Sequence, residues 1–233
     1  MSGSSRIFLS KLDPPVLLPD QPGDGVALHL SDPSSSAPLC KLLQASGIRV
    51  TTQGLIDRSR PFNCWSQVGC IVAELESRNP TALTILRTIR QLHAGLPVIF
   101  VAEKPQVSTV VESIKCGAFD FFERPWDPNR LAARIEEAIT TYRRTFPVFS
   151  EIARVDQLLR GLTRRERQLF DLILDGKSTK EMAFELGIRD VTVDFHRRNL
   201  YRKMEVDNPV NLALMIENYR HERQKWSWER TAF

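Results

Sequence analysis

Short apolar runs alternate with helical patterns along the first 144 residues of this chain of 233 residues. The apolar runs predict five strands, at residues 26–30, 48–52, 69–74, 97–102 and 118–122. The intervening patterns predict five helices, at residues 37–46, 55–64, 81–94, 107–116 and 129–144. Five repeats of strand then helix indicate an α/β fold with a doubly wound (βα)5 parallel sheet, whose functional site would lie at the carboxyl ends of the strands.

A different pattern begins after residue 161, where short helices are bounded by capping residues and glycines. T-x-x-E from Thr163 and S-x-x-E from Ser178 have the spacing of capping boxes, in which two side chains satisfy unpaired backbone donors. Gly176 and Gly187 follow these two helices, where a left-handed residue is needed. A basic third helix, at about residues 191–204, comes soon after Gly187. The arrangement predicts an all-α helix-turn-helix domain.

These patterns divide the chain into five parts. Their predicted bounds are 1–24 for a poorly ordered leader, 25–144 for the α/β domain, 145–161 for a partly helical linker, 162–221 for the helix-turn-helix domain and 222–233 for a tail. Pro147 is expected to separate the linker from the last helix of the α/β domain.

The third helix has two faces that differ in chemistry. One stripe is expected to pack on the domain's own core and consists of Val193, His196, Leu200 and Met204. The opposite stripe can enter a major groove, where Arg reads guanine, Asp accepts from cytosine and Phe covers a thymine methyl group. Cations near this stripe can hold phosphates, which positions the helix without reading sequence. The predicted DNA-binding residues are Lys180, Val191, Thr192, Asp194, Phe195, Arg197, Arg198, Arg202 and Lys203.

Composition narrows the class of protein. The formal charge is only +4 and is spread evenly on the two sides of residue 150, so it does not locate a DNA site. The segment 189–203, with five cations against two acids, does locate one. Without an apolar run of membrane-spanning length or a signal-peptide core, the sequence predicts a cytoplasmic protein with reduced cysteines and no membrane partner. The sequence also has no C-x-x-C pair and no Gly-rich phosphate loop, which disfavours a zinc site and an enzyme.

Four motifs in the C-terminal half carry a family resemblance. They are L-T-R-R-E-R-Q from Leu162, D-G-K-S-T-K-E-M-A-F-E-L-G-I from Asp175, T-V-D-F-H-R-R-N-L from Thr192 and R-K-M from Arg202. Together they resemble a LuxR-type helix-turn-helix of the form found in FixJ/NarL response regulators, which implies a four-helix DNA-binding domain. The family usually has Ser at the cap of the recognition helix, where this chain has Arg189, so Asp190 is expected to take over the cap one residue later.

Three motifs of the N-terminal half resemble a receiver domain, the phosphorylatable half of a response regulator. They are D-P at Asp32, L-P-V-I-F-V from Leu96 and G-A-F-D-F-F-E-R-P-W-D from Gly117. The resemblance implies a flavodoxin-like or CheY-like fold with a few reactive groups at the strand ends. A receiver uses two acids after its first strand to hold Mg²⁺ and an Asp at the end of its third strand to accept the phosphoryl group. It also uses a Ser or Thr after the fourth strand and a Lys after the fifth.

The magnesium-binding acids of a receiver are replaced in this chain. Leu30 and Ser31 stand at the acidic pair, and Asp32 lies beside them. Carboxylate oxygens are the ligands that Mg²⁺ takes from proteins, and the ion would neutralise the charge of a phosphoryl group. We therefore expect no cofactor and no measurable Mg²⁺ binding.

The other three receiver groups are altered as well. Glu74 stands at the acceptor position, one methylene longer than Asp, and in-line transfer tolerates such a shift poorly. Ala102 replaces the hydroxyl residue, and Arg124 replaces Lys with a planar guanidinium. The replacements predict a pseudo-receiver in which Glu74 pairs with Arg124 across the strand ends. Phe121 takes the place of the mobile aromatic residue of receivers, and a plain core position is an equally good interpretation.

Three functions are compatible with these features. The favoured one is a sequence-specific transcription factor that needs no phosphoryl group and binds a roughly palindromic site in double-stranded DNA as a homodimer. A regulatory protein and RNA polymerase are further candidate partners. The second is a conventional phosphorylation-switched regulator that uses Asp32 or another acid. The third is an adaptor that docks a partner protein and keeps a vestigial helix-turn-helix.

Overall fold

Five parallel strands form one sheet in the order β2-β1-β3-β4-β5. The strands are β1 (Gly25–His29), β2 (Val50–Thr51), β3 (Val68–Glu74), β4 (Val98–Ala102) and β5 (Asp120–Glu123). The computed structural model describes residues 21–30, 33–52, 67–75, 86 and 95–231, with residues 33–35 and 226–231 described through their backbone alone. All five predicted strands are present, although β2 is shorter than expected, and the strand order confirms the doubly wound fold.

Three helices accompany the sheet in the described part of the chain. They are α1 (Pro33–Ala45), α2 (Val107–Lys115) and α3 (Pro128–Arg160). The helices predicted at residues 55–64 and 81–94 lie outside the described residues, except for Leu86, which is helical and buried. Both faces of the sheet are covered, because alternate strand residues enter two separate cores. Leu39 of α1 and Ile135 of α3 belong to one core, and Tyr142 and Phe146 of α3 belong to the other.

The prediction that Pro147 ends the last receiver helix is wrong. Helix α3 continues through Pro147 to Arg160, so residues 145–160 are helical throughout. Proline removes one backbone donor and costs a helix interior about 3 kcal/mol. Apolar burial on both sides compensates for this cost, since Phe146 and Phe149 are buried before Pro147 and just after it. Phe149 packs directly on Gly95, where an added Cβ atom would lie 1.9 Å from its ring.

The chain divides into two compact units within α3. The N-terminal unit, which contains the sheet, ends at Ser150, and the C-terminal unit runs from Glu151 to Trp226. Val155 and Leu159, in the last part of α3, are buried in the core of the C-terminal unit. The segment predicted to be a linker therefore supplies part of that core. No helix in the described part of the chain is both long and apolar enough to cross a membrane.

Four further helices complete the C-terminal unit. They are α4 (Arg164–Leu174), α5 (Thr179–Leu186), α6 (Asp190–Lys203) and α7 (Pro209–Thr231). Both predicted capping boxes are present, at Thr163 and at Ser178. Gly187 ends α5 with φ of 62°, in the left-handed region that favours glycine. Helix α7 extends through most of the predicted tail.

The predicted cap of the recognition helix is wrong by one residue. Arg189 is the N-cap of α6 and makes no capping hydrogen bond with its side chain, while Asp190 is already the first helical residue. A carboxylate in the first turn still stabilises a helix, because it faces the positive end of the helix dipole. Asp190 therefore compensates for the missing cap through charge.

Candidate nucleic-acid interface and strand-end site

The buried face of α6 is formed by the predicted apolar stripe. Val193, Leu200 and Met204 are all fully buried in the core of the C-terminal unit, which confirms this part of the prediction. His196 is only half-buried, and its ring lies edge-on to that of Phe195 at 5.7 Å. The histidine thus marks the border of the buried stripe.

The opposite face of α6 is open to solvent. Val191 is 79% exposed and Phe195 is 60% exposed, which is unusual for large apolar side chains in a folded domain. The remaining exposed members of this face are Asp194, Arg198 and Arg202. A surface that combines guanidinium, carboxylate and apolar groups can donate to base edges in the major groove, accept from them and cover a thymine methyl group. The five predicted base-reading residues therefore share one accessible face.

Helix α5 adds two exposed residues next to one another. Lys180, predicted to hold a phosphate, is exposed in its first turn. Phe184 follows one turn later on the same side and is 89% exposed. Sequence analysis did not single out Phe184, although its spacing from the buried residues Met182 and Ala183 was a signal that it faces outward.

Two cations of the predicted interface have partners inside the domain. The guanidinium of Arg197 donates to the Thr179 hydroxyl at 3.0 Å and to the Tyr201 hydroxyl at 3.3 Å. The ammonium of Lys203 donates to Glu166 Oε2 at 2.7 Å and to the carbonyl oxygen of Gly161 at 3.3 Å. Sequence analysis placed both side chains on phosphates, and these internal contacts were not anticipated. Thr192 is half-buried.

The two capping carboxylates differ in environment. Glu166 is only 5% exposed, and burial opposes its ionisation, but hydrogen bonds from Lys203 and Thr163 outweigh this effect and lower its pKa. Glu181 lies at the surface, where hydrogen bonds from Ser178 lower its pKa. Both carboxylates are therefore charged at neutral pH, and the buried one depends on a cation from the recognition helix.

The strand-end site lies where β3, β4 and β5 meet. Glu74 ends β3 and Ala102 ends β4, and these strands are direct neighbours in the sheet. Leu30 follows β1 on the other side of β3 and is half-buried. Ser31 and Asp32 lie outside the described residues. The methyl group of Ala102 and the aliphatic side chain of Leu30 offer no donor or acceptor to a phosphoryl group.

Glu74 and Arg124 form the predicted pair. Nε of Arg124 donates to Glu74 Oε1 at 3.2 Å, and Nη2 lies 3.1 Å from the same oxygen. The two side chains are only 13% and 19% exposed. The guanidinium also stacks on the ring of Trp126 at 4.2 Å, a contact that sequence analysis missed. Phe121 is half-buried and packs against the core, in agreement with the plain core interpretation.

Comparison with known families agrees with both halves of the chain. The model described as "Response regulator receiver domain" matches residues 33–136, and the model described as "Bacterial regulatory proteins, luxR family" matches residues 160–216. The FixJ transcriptional regulatory protein of Bradyrhizobium diazoefficiens is 31% identical over 62% of this chain and 71% of its own length. The chain belongs to the DNA-binding response regulators of the FixJ/LuxR type.

Two further similar proteins support this assignment. The response regulator protein TodT of Pseudomonas putida is 28% identical over 65% of this chain and 67% of its own length. A low-resolution structure of the response regulator StyR is 26% identical, with a TM-score of 0.59, and the match covers 84% of this chain and 98% of StyR. FixJ is named a transcriptional regulatory protein, and TodT and StyR are named response regulators.

Proposed function

We propose that this protein is a sequence-specific regulator of transcription whose receiver domain works without phosphoryl transfer. The observation that carries the proposal is the ion pair between Glu74 and Arg124, which lies where a receiver accepts the phosphoryl group. The guanidinium holds Oε1 of Glu74 at 3.1 Å, so the carboxylate would have to leave this contact before it could attack a phosphoryl donor in line. The absence of a hydroxyl at Ala102 removes the usual second contact to a phosphoryl group.

The residues at the strand ends do not fit Mg²⁺. The ion prefers octahedral coordination by oxygen ligands, usually one or two carboxylates with phosphate oxygens and water. Glu74, at the acceptor position of this site, is already neutralised by Arg124. Leu30 supplies an aliphatic side chain where a receiver needs an acid. We therefore propose that the protein takes no magnesium ion at this site.

The regulator is proposed to act as a homodimer on a roughly palindromic site in cytoplasmic DNA. One helix-turn-helix module buries too little surface for high affinity, and two-fold symmetry doubles the contact. Support comes from helix α2, where Val107, Val111 and Ile114 lie about one turn apart and are 78%, 45% and 41% exposed. Such an apolar stripe is typical of an association surface. Val111→Glu should then reduce the mass measured by light scattering to that of one chain.

A phosphorylation assay tests the central proposal. The full chain is incubated with acetyl phosphate and Mg²⁺ and weighed by intact-protein mass spectrometry, beside a response regulator that has every receiver group. We expect no phosphorylated species of this chain under conditions that label the control fully. A phosphoryl group mapped to Asp32 or Glu74 would overturn the proposal and support a conventional switch. Failure to enrich any sequence from random DNA would instead support the adaptor function.

A further inference from the structure

Lys203 closes the recognition helix onto two other elements of the same domain. It is the last residue of α6, and its ammonium reaches the Glu166 carboxylate at 2.7 Å. The same ammonium donates to the carbonyl oxygen of Gly161, the residue that follows α3. One side chain thus joins the end of the recognition helix to the start of α4 and to the end of α3.

The contact between Lys203 and Glu166 differs from an exposed surface ion pair, because the carboxylate is buried. Glu166 is 5% exposed, and its Oε2 also accepts from the backbone N–H of Thr163 at 2.8 Å and from the Thr163 hydroxyl at 2.9 Å. A carboxylate that has lost its water needs a cation as well as hydrogen bonds. If Lys203 moved to a DNA phosphate, this buried charge would lose its cation. The Lys203 ammonium therefore stays bound to Glu166, on the side of α6 that faces the rest of the domain.

Directional contacts decide where a helix points. The buried side chains Val193, Leu200 and Met204 attach α6 to the core, but apolar burial is non-directional and tolerates small rotations. Hydrogen bonds weaken steeply when their angle or length departs from the optimum. Lys203 supplies such contacts at the end of α6, and Arg197 supplies them in the middle through Thr179. The exposed reading face is oriented by contacts on the other side of the helix.

We infer that Lys203 and Glu166 form a positioning pair, which sets the orientation of α6 and so controls base discrimination without touching a base. This inference rests on DNA binding by the LuxR-type domain and not on whether the receiver is phosphorylated. It replaces the phosphate contact that the sequence predicts for Lys203. Because Gly161 shares the same ammonium, a displacement of the end of α3 would also reach the recognition helix through this pair.

The test measures discrimination and salt dependence separately. The full-length protein selects from a pool of random duplexes, and the enriched duplex and a scrambled duplex of equal length then serve as probes. Lys203→Met and Glu166→Gln should each lower the preference for the enriched duplex about tenfold, which corresponds to about 1.4 kcal/mol. The double variant should lose no more than the worse single variant, because the two residues act as one unit. The slope of affinity against salt should stay that of the parent.

Two variants calibrate these measurements. Lys180→Ala removes an exposed cation beside the reading face, and it should weaken both duplexes alike and reduce the salt slope by about 0.9. Lys41→Met removes an exposed cation of α1 in the N-terminal unit and should change neither quantity. Thermal unfolding followed by circular dichroism establishes that each variant is folded.

The opposite outcomes are equally definite. If Lys203→Met behaves like Lys180→Ala and Glu166→Gln keeps full discrimination, Lys203 is a phosphate contact and the inference is wrong. Should Lys203→Met not fold, Glu166→Gln decides alone, because its amide oxygen can still accept from Thr163 while the ion pair is lost. If the unmodified chain enriches no duplex, sequence-specific binding itself fails, and that result is distinct from a failure of the positioning pair.

Discussion

The strand ends of the receiver domain and the recognition helix differ in the surroundings of their charged side chains, which are paired and covered at the strand ends and exposed on the reading face of the helix. At the strand ends, Glu74 and Arg124 neutralise one another and Trp126 covers the guanidinium. On α6, Arg198 lies exposed on the reading face with apolar neighbours that are also in solvent. A charge with an internal partner has little free energy left for a ligand, whereas an exposed charge keeps its capacity to bind. The contrast is the basis of the proposal that the receiver domain works without phosphoryl transfer and that ligand recognition resides in the C-terminal unit.

The same contrast divides the recognition helix itself. Lys203 and Arg197 have internal partners, and Arg198 lies on the open face among the groups suited to base edges. Sequence position alone assigns all three cations to DNA, because each lies on a basic helix. The structure separates those that orient the helix from those that are available to read it.

The largest expected effect comes from breaking the receiver pair. Glu74→Gln leaves Arg124 without its counter-charge in a site where both side chains are mostly covered. We expect the free energy of unfolding of the N-terminal unit to fall by about 3 kcal/mol, the lower end for buried pairs because some solvent reaches this one. Urea unfolding of the full chain followed by tryptophan fluorescence measures the change. The control is Glu136→Gln, which removes an exposed carboxylate of α3.

The oligomeric state of Glu74→Gln shows whether Glu74 has a role other than stabilising the fold. If Glu74 is a static partner, the folded fraction of Glu74→Gln keeps its oligomeric state and its DNA affinity. A variant as stable as the parent that no longer dimerises would show instead that Glu74 imitates a phosphorylated Asp. That result would place an active charge at the strand ends and would break the comparison between the two regions.

A somewhat smaller effect is expected on the reading face. Arg198→Ala should weaken binding to the preferred duplex by about 1–3 kcal/mol and relax the choice of base at one position, because a bidentate contact to guanine would be lost. Selection from random duplexes, repeated with the variant, identifies the relaxed position. Arg144→Ala, which removes an exposed cation of α3, is the matched control. An equal loss on all duplexes would show that Arg198 holds a phosphate.

The smallest effect concerns acid stability. The pKa of Glu166 is lowered from its usual value of 4.5, so its ionisation stabilises the folded state fully above pH 4.5, and this contribution is lost as pH falls through the lower folded value. The unfolding temperatures of the parent and Glu166→Gln should therefore converge below pH 4.5. Thermal scans from neutral pH to well below pH 4.5 measure this. A difference that does not change with pH would mean that the charge of Glu166 contributes nothing.

Local sequence signals predicted the elements well and the long-range contacts poorly. Both capping boxes follow from a spacing of three residues, and period-two and helical patterns located all five strands and the recognition helix. The pair of Glu74 and Arg124 was predictable only because the receiver resemblance aligns strand ends that lie 50 residues apart. No comparable sequence signal pairs Glu166 with Lys203, which are 37 residues apart.

The errors also have physical causes. Pro147 is a strong local signal for a helix end, but burial of Phe146 and Phe149 outweighs the missing hydrogen bond. Asp190 is a better capping residue than Arg189, yet the helix begins one residue earlier than this preference predicts, with Arg189 at the N-cap. At Pro147, tertiary packing prevailed over local preference.

The contact between Gly95 and Phe149 restricts how this family member can diverge. Gly95 has φ of 87°, and an added Cβ atom would meet the Phe149 ring at 1.9 Å. A larger residue at position 95 therefore faces both backbone strain and a steric clash, and relief of the clash requires a smaller residue at position 149. We expect the two positions to change together among relatives that keep this long helix. Another sequence that has both Gly95 and Phe149 would then be expected to have a last receiver helix that continues past its proline.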